Sequence, residues 1–101
     1  MWMIVMFDLP VITKAQRKDA NHFRLSLLDM GYLKCQLSIY AKVCTSKEQA
    51  AVQVRQIKSI LPPKGDVDIL MITDAQFQRI ICFQERRNTS PKNQPKQLEL
   101  F

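Results

Sequence analysis

Asp8 is the residue on which chemistry would turn. It follows Met1-Trp-Met-Ile-Val-Met-Phe7, seven apolar residues without a break, and Pro10 comes two places later. A continuous apolar run reads as a strand buried on both faces. Proline ends it, lacking the N–H that a ladder needs and restricting the residue before it. Asp8 is therefore expected at the carboxyl end of a central strand, held rigidly with its head exposed. An unpaired buried carboxylate is costly, so Asp8 calls for a cation, a cluster of donors or water. One carboxylate does not make a metal site for phosphodiester cleavage, because Mg²⁺ takes one or two carboxylates with waters and substrate oxygens. A two-fold dimer would supply a second Asp8 across the axis.

The other reactive side chains offer less. His22 is the sole histidine and has no cysteine or serine constellation to serve. Cys35, Cys44 and Cys82 are odd in number and lack C-x-x-C spacing, which argues against a disulfide framework or a zinc site and fits a reducing cytoplasm. Asp19, Asp29, Asp66, Asp68 and Asp74 read as caps or surface charges. There is no glycine-rich nucleotide loop, with only two glycines in the chain, and no aromatic-rich RNA-recognition strand. The amino-terminal run lacks a basic leader and a small-residue cleavage site, and no stretch reaches transmembrane length. The expectation is a soluble cytoplasmic protein that does not enter membranes.

A chain of 101 residues suffices for one domain with one core. Its formal charge of +6 favours a polyanionic partner, most often nucleic acid. After Pro10, Thr13 to Gln16 forms a capping box, and the helix it opens should run to about Met30, with Gly31 as its stop. Ala20, Phe23, Leu27 and Met30 give the buried stripe. Lys14, Arg17, Lys18 and Asn21 share a polar face, with Arg24 further along; it reads equally as a solvated face and as a phosphate-tracking surface. From Leu33 to Cys44 apolar and polar residues alternate, predicting a long strand that bends or turns back near Ala41. Leu33, Cys35, Leu37, Ile39, Ala41 and Val43 should face the helices. The face carrying Gln36, Ser38 and Tyr40 should meet another subunit.

Thr45 to Glu48 predicts a second capping box, followed by a helix with Ala50, Val54, Ile57 and Leu61 on one side and Pro62-Pro63 as its stop. Residues 66–73 form a strand beside the first, buried on both faces at its far end. Thr73 to Gln76 starts a single helical turn, and Ile80 to Phe83 a short edge strand. Residues 85–97 are polar and proline-punctuated, as a linker would be. Leu98, Leu100 and Phe101 close the chain as a short strand suited to docking on a partner's sheet edge. The organisation is a domain over 1–84, a linker over 85–97 and a docking strand over 98–101. The fold class is α+β: a ferredoxin-like βαββαβ sandwich with both helices on one face of an antiparallel sheet, plus a carboxyl-terminal edge strand.

The pattern Ile-Val-Met-Phe7-Asp8-Leu-Pro, then Phe23-Arg24 with Leu27, Gly31-Tyr32 and Gln36-Leu-Ser38-Ile-Tyr40, resembles CRISPR-associated protein two. Leu61-Pro62, Gly65-Asp-Val67, Ile72-Thr-Asp-Ala-Gln76-Phe77 and the closing Gln97-Leu98 to Phe101 are similar to the variant found with type II systems. The resemblance implies a homodimer that bridges two dimers of the integrase, CRISPR-associated protein one, and holds a double-stranded DNA protospacer during spacer acquisition. It also implies Mg²⁺-dependent endonuclease activity on RNA or DNA with Asp8 as metal ligand. Phe7 stands where many members carry tyrosine. Arg17, Lys18 and Arg24, with Lys14 on the same face, are carried over as DNA contacts.

Three functions compete. The basic helix, the tail and the scarcity of catalytic groups favour an architectural DNA-binding adaptor. Paired Asp8 carboxylates favour a metal-dependent nuclease, and both can hold in one family. A small-molecule-sensing ferredoxin-like regulator predicts instead an apolar pocket at an interface and little affinity for DNA.

Overall fold

In the computed structural model, residues 1–83 are described. The predicted linker and the docking strand with Leu98, Leu100 and Phe101 lie outside them. The elements are β1 (Trp2–Asp8), α1 (Lys14–Asp29), β2 (Leu33–Gln36), β3 (Ile39–Val43), α2 (Lys47–Ser59), β4 (Asp66–Ile72) and a short α3 (Asp74–Gln78). The strands form one four-stranded sheet in the order β2-β3-β1-β4, and β1 is antiparallel to both neighbours. This is the expected βαββαβ ferredoxin-like plan.

The apolar run becomes a central strand for the reason anticipated. Met3, Ile4 and Val5 are buried, and successive side chains serve opposite faces. Val5 packs with Phe23 and Leu27 of α1, Tyr40 of β3 and Ile57 of α2, so both helices cover one face. Met3 extends that layer against Cys44 and Ala50. Ile4 lies on the opposite face with Ala41 and Phe77. There α3 covers one end, with Phe77 stacked on Trp2 at a ring separation of 4.1 Å and the amino terminus paired to Asp74 at 2.8 Å.

Local capping sets the helix ends. Thr13 and Gln16 form the expected box, and Met30 caps α1 before Gly31 turns with φ 93°. Thr73 and Gln76 form a second box at α3. At α2 the cap is displaced by one residue from expectation: Ser46 accepts from Gln49 N–H, while Gln49 reaches back to Thr45. Leu61 falls beyond α2, and the buried polar member of that face is Gln53.

Four expectations about strands need correction. The turn after β2 lies at Leu37 and Ser38, where Ser38 adopts φ 65°, and not near Ala41. The faces of β3 are also reversed. Tyr40 pairs across from Val5 and so shares its helix-covered face, whereas Ile39 and Ala41 turn to the other side. Tyr40 is 0% exposed and belongs to the core, so it does not lie on an open sheet surface with Gln36, which is exposed, and Ser38, which is half-buried. Finally, β4 leaves Leu70 and Met71 exposed, and residues 80–83 are not a strand.

Candidate metal and nucleic-acid site

Asp8 occupies the last position of β1 and is exposed. The register of β4 sets Asp66 directly opposite Asp8, and Asp68 opposite Met6. Opposed residues in an antiparallel pair have Cβ atoms about 4.5–5.5 Å apart and share a face, and like charges so placed repel. Alternation puts Asp8 and Asp66 on the same face as Ile4 and Leu70, the one away from α1 and α2. Neither carboxylate takes part in a side-chain hydrogen bond or ion pair among the described residues. Sequence reading missed Asp66, because only the strand register brings it to Asp8.

Gly65 fixes this end of the sheet. It has φ 100°, and an added Cβ would stand 2.7 Å from Leu9 Cδ2 and 2.8 Å from the Asp8 carbonyl oxygen. No larger residue allows β4 to enter so close to Asp8.

Among the described residues no group of three or more His, Cys, Asp or Glu is arranged to hold a metal ion. Two hard, unpartnered carboxylates do suit Mg²⁺, which keeps most of its shell for water and substrate oxygens. His22 is exposed on α1, well along the helix from its start.

The basic side chains divide into two sets. Arg17 donates to the carbonyls of Val11 at 3.2 Å and Ile12 at 2.9 Å, and Arg24 donates to Asn21 Oδ1, so both have partners within the chain. Lys14 and Lys18 are exposed and make no side-chain hydrogen bond or ion pair among the described residues. The same holds for Lys64, which lines a cleft of about 180 Å³ with Leu9, Pro10, Ala15, Gln16, Asp19, Ala20, Pro62 and Pro63. Lys42 is engaged, donating to the Met30 carbonyl at 2.6 Å beneath the end of α1.

Among the described residues, the face bearing Asp8 is largely apolar and uncovered beyond α3. Leu33, Val43 and Leu70 are about half exposed, and Ile81 and Phe83, just past α3, are 80% and 82% exposed. Cys35 belongs to this face, and burial, with the Cys82 thiol nearby, pushes its own thiol up.

Comparison with known proteins decides the family. The model for "CRISPR associated protein Cas2" matches residues 1–80. The chain belongs to the Cas2 family. A relative from Paracidovorax avenae, named "CRISPR-associated endoribonuclease Cas2", is 48% identical over 100% of this chain and 94% of its own length. A Parvibaculum lavamentivorans relative of the same name is 41% identical over the full length of both. The crystal structure of Streptococcus pyogenes Cas2 at pH 6.5 superposes with a TM-score of 0.63 at 20% identity, over 83% of this chain and 100% of that one, a likeness of fold. Cas2 membership matches the resemblance read from Phe7-Asp8, Gly31-Tyr32 and Gln36 to Tyr40. No helix of the described residues is long and apolar enough to cross a membrane.

Proposed function

We propose that this Cas2-family chain is a homodimeric nucleic-acid-binding protein of CRISPR adaptation, bridging dimers of the integrase around double-stranded DNA, and that its dimer carries a Mg²⁺-dependent endonuclease site. The observation that carries the nuclease part is the pair of unpartnered carboxylates, Asp8 and Asp66, at an exposed strand end. The relatives' name supports it, since they are called endoribonucleases.

Each chain supplies half a site. Asp8 and Asp66 would hold the ion, whose Lewis acidity serves phosphodiester hydrolysis when it is bound. A second copy packed on the apolar sheet face would bring its own pair, giving the two-fold arrangement that a single chain lacks. That face supports the dimer, because it leaves Val43, Leu70, Ile81 and Phe83 in water. The phosphate contacts fall to Lys14, Lys18 and Lys64, whose ammonium groups are unpaired among the described residues, while Arg17 and Arg24 order the loop and helix behind them. The sole imidazole, His22, lies on α1 and not at this strand end, so the proton of the attacking water would pass to solvent. The tail residues Leu98, Leu100 and Phe101 remain the proposed contact with the integrase.

The regulator reading finds less support. The cleft at the strand end is small and is lined by Lys64 and Asp19 as well as by proline. The experiment that tests the proposal compares wild type, Asp8→Asn and Asp66→Asn for cleavage of RNA and DNA with and without Mg²⁺, alongside spacer acquisition with the integrase. Both substitutions should abolish cleavage, and Asp8→Asn should leave acquisition intact. Cleavage surviving in both variants would sink the metal site. Loss of acquisition in a folded dimer would sink the separate adaptor role.

A further inference from the structure

The loop between β1 and α1 is held rigidly and yet presents apolar side chains to water. Gln16 Oε1 accepts from the N–H groups of Ile12 and Thr13, each at 3.0 Å, and Thr13 Oγ1 accepts from Gln16 N–H at 3.1 Å. The Arg17 guanidinium donates to the carbonyls of Val11 and Ile12. A loop tied so closely cannot relax to bury a side chain, and Ile12 is 85% exposed with Val11 at 55%. A single exposed aliphatic is ordinary on a protein surface, but these hydrogen bonds hold Ile12 in one position two residues before Lys14, which suits it to contact a partner.

The surroundings select the partner. Lys14 and Lys18 lie in the first turns of α1 just beyond Ile12, and Lys64 lines the same cleft as Ala15 and Asp19. These three ammonium groups are unpaired among the described residues, and Asp19 is the one carboxylate lining the cleft. A protein pocket would accommodate Ile12 but leaves three free cations unexplained. A membrane surface needs a broad apolar face, and this is a tip. Duplex nucleic acid offers both components, with phosphates on each side of a groove whose walls are sugars and base edges.

We infer that the Val11–Ile12 loop is a groove-contacting tip: Lys14, Lys18 and Lys64 hold flanking phosphates, and Ile12 presses between them against sugar and base edges. This rests on the nucleic-acid reading above and adds to it a contact that senses groove shape. The loop then does two jobs, since the backbone that displays Ile12 also begins the helix bearing the lysines.

The test uses the full chain and a mixed-sequence DNA duplex carrying an environment-sensitive adenine analogue, titrated over a series of salt concentrations. Lys64→Gln should weaken binding and make the slope of log affinity against log salt shallower by about 0.9. Ile12→Ser should weaken binding by roughly fivefold to tenfold at every salt concentration, with the slope and melting temperature unchanged. It should also lose the analogue's fluorescence change, and Ile12→Ala should fall between. If Lys64→Gln weakens binding but Ile12→Ser binds as wild type does, the tip inference is overturned while the nucleic-acid reading stands. If Ile12→Ser keeps duplex binding and loses only capture of the integrase, the tip is a protein contact and the inference fails. If wild type does not bind the duplex, both fall together.

Discussion

Asp8 and Asp66 face each other across neighbouring strands, and like charges set directly opposite in a sheet are destabilising. Removing one charge should therefore help the fold: without divalent cations, Asp8→Asn or Asp66→Asn should gain about 0.2–1 kcal/mol in urea unfolding. Added Mg²⁺ should raise the melting temperature of wild type and leave that of Asp8→Asn unmoved. No gain from either substitution would show that the pair carries no repulsion to relieve. Two tyrosines in the core pose the opposite problem. Tyr32 donates to Gln53 Oε1 at 3.1 Å in the buried interior, and burial, then the Cys44 thiol, pushes its phenol up to about 12. Its folded value lies above the ordinary 10, so its contribution is complete below pH 10 and is lost as pH rises towards 12. Alkaline unfolding followed by phenolate absorbance should thus shift in Tyr32→Phe. The Tyr40 hydroxyl is buried without a hydrogen-bond partner among the described residues. Tyr40→Phe should keep the stack on Phe7 and stabilise by about 1 kcal/mol, and a loss on denaturant unfolding would mean the hydroxyl is satisfied after all.

Elements set by local chemistry were legible before any coordinates. The Thr13–Gln16 and Thr73–Gln76 boxes and the Gly31 stop each need only a few neighbouring residues, and all three stand as read. At α2 two adjacent hydroxyls compete, and sequence favoured the wrong one. Ser46→Ala should cost about 1 kcal/mol, measured by denaturant unfolding, and Thr45→Ala distinctly less; equal losses would contradict Ser46 as the cap. The turn at Leu37-Ser38 carries no glycine, proline or asparagine, so nothing marked it, and Ser38 takes the left-handed conformation unannounced. The reversed faces of β3 have a related cause. Tyr40, Lys42 and Cys44 each combine an apolar body with a polar tip, and alternation scored on polarity misassigns them. Asp66 was hidden for a different reason, because a register between residues far apart in sequence is not a local property.

At the scale of the whole molecule, the described residues finish the sheet on one side only. α1 and α2 cover Val5, Phe23 and Ile57, whereas the other side relies on the short α3 and leaves a broad apolar area in water. Replacing Val43 and Leu70 together by lysine should give a folded monomer in sedimentation, since neither is buried in the chain itself. A variant that still sediments as a dimer would place the contact elsewhere.

If two copies meet on that side, activity becomes a function of dilution. If each chain carries half of a cutting site, turnover per chain should fall as the protein is diluted below its dissociation constant. It should recover on concentration with no change in any residue. An assay at one protein concentration would then report mostly on assembly, and weak cutting by a dilute sample would say little about the carboxylates themselves.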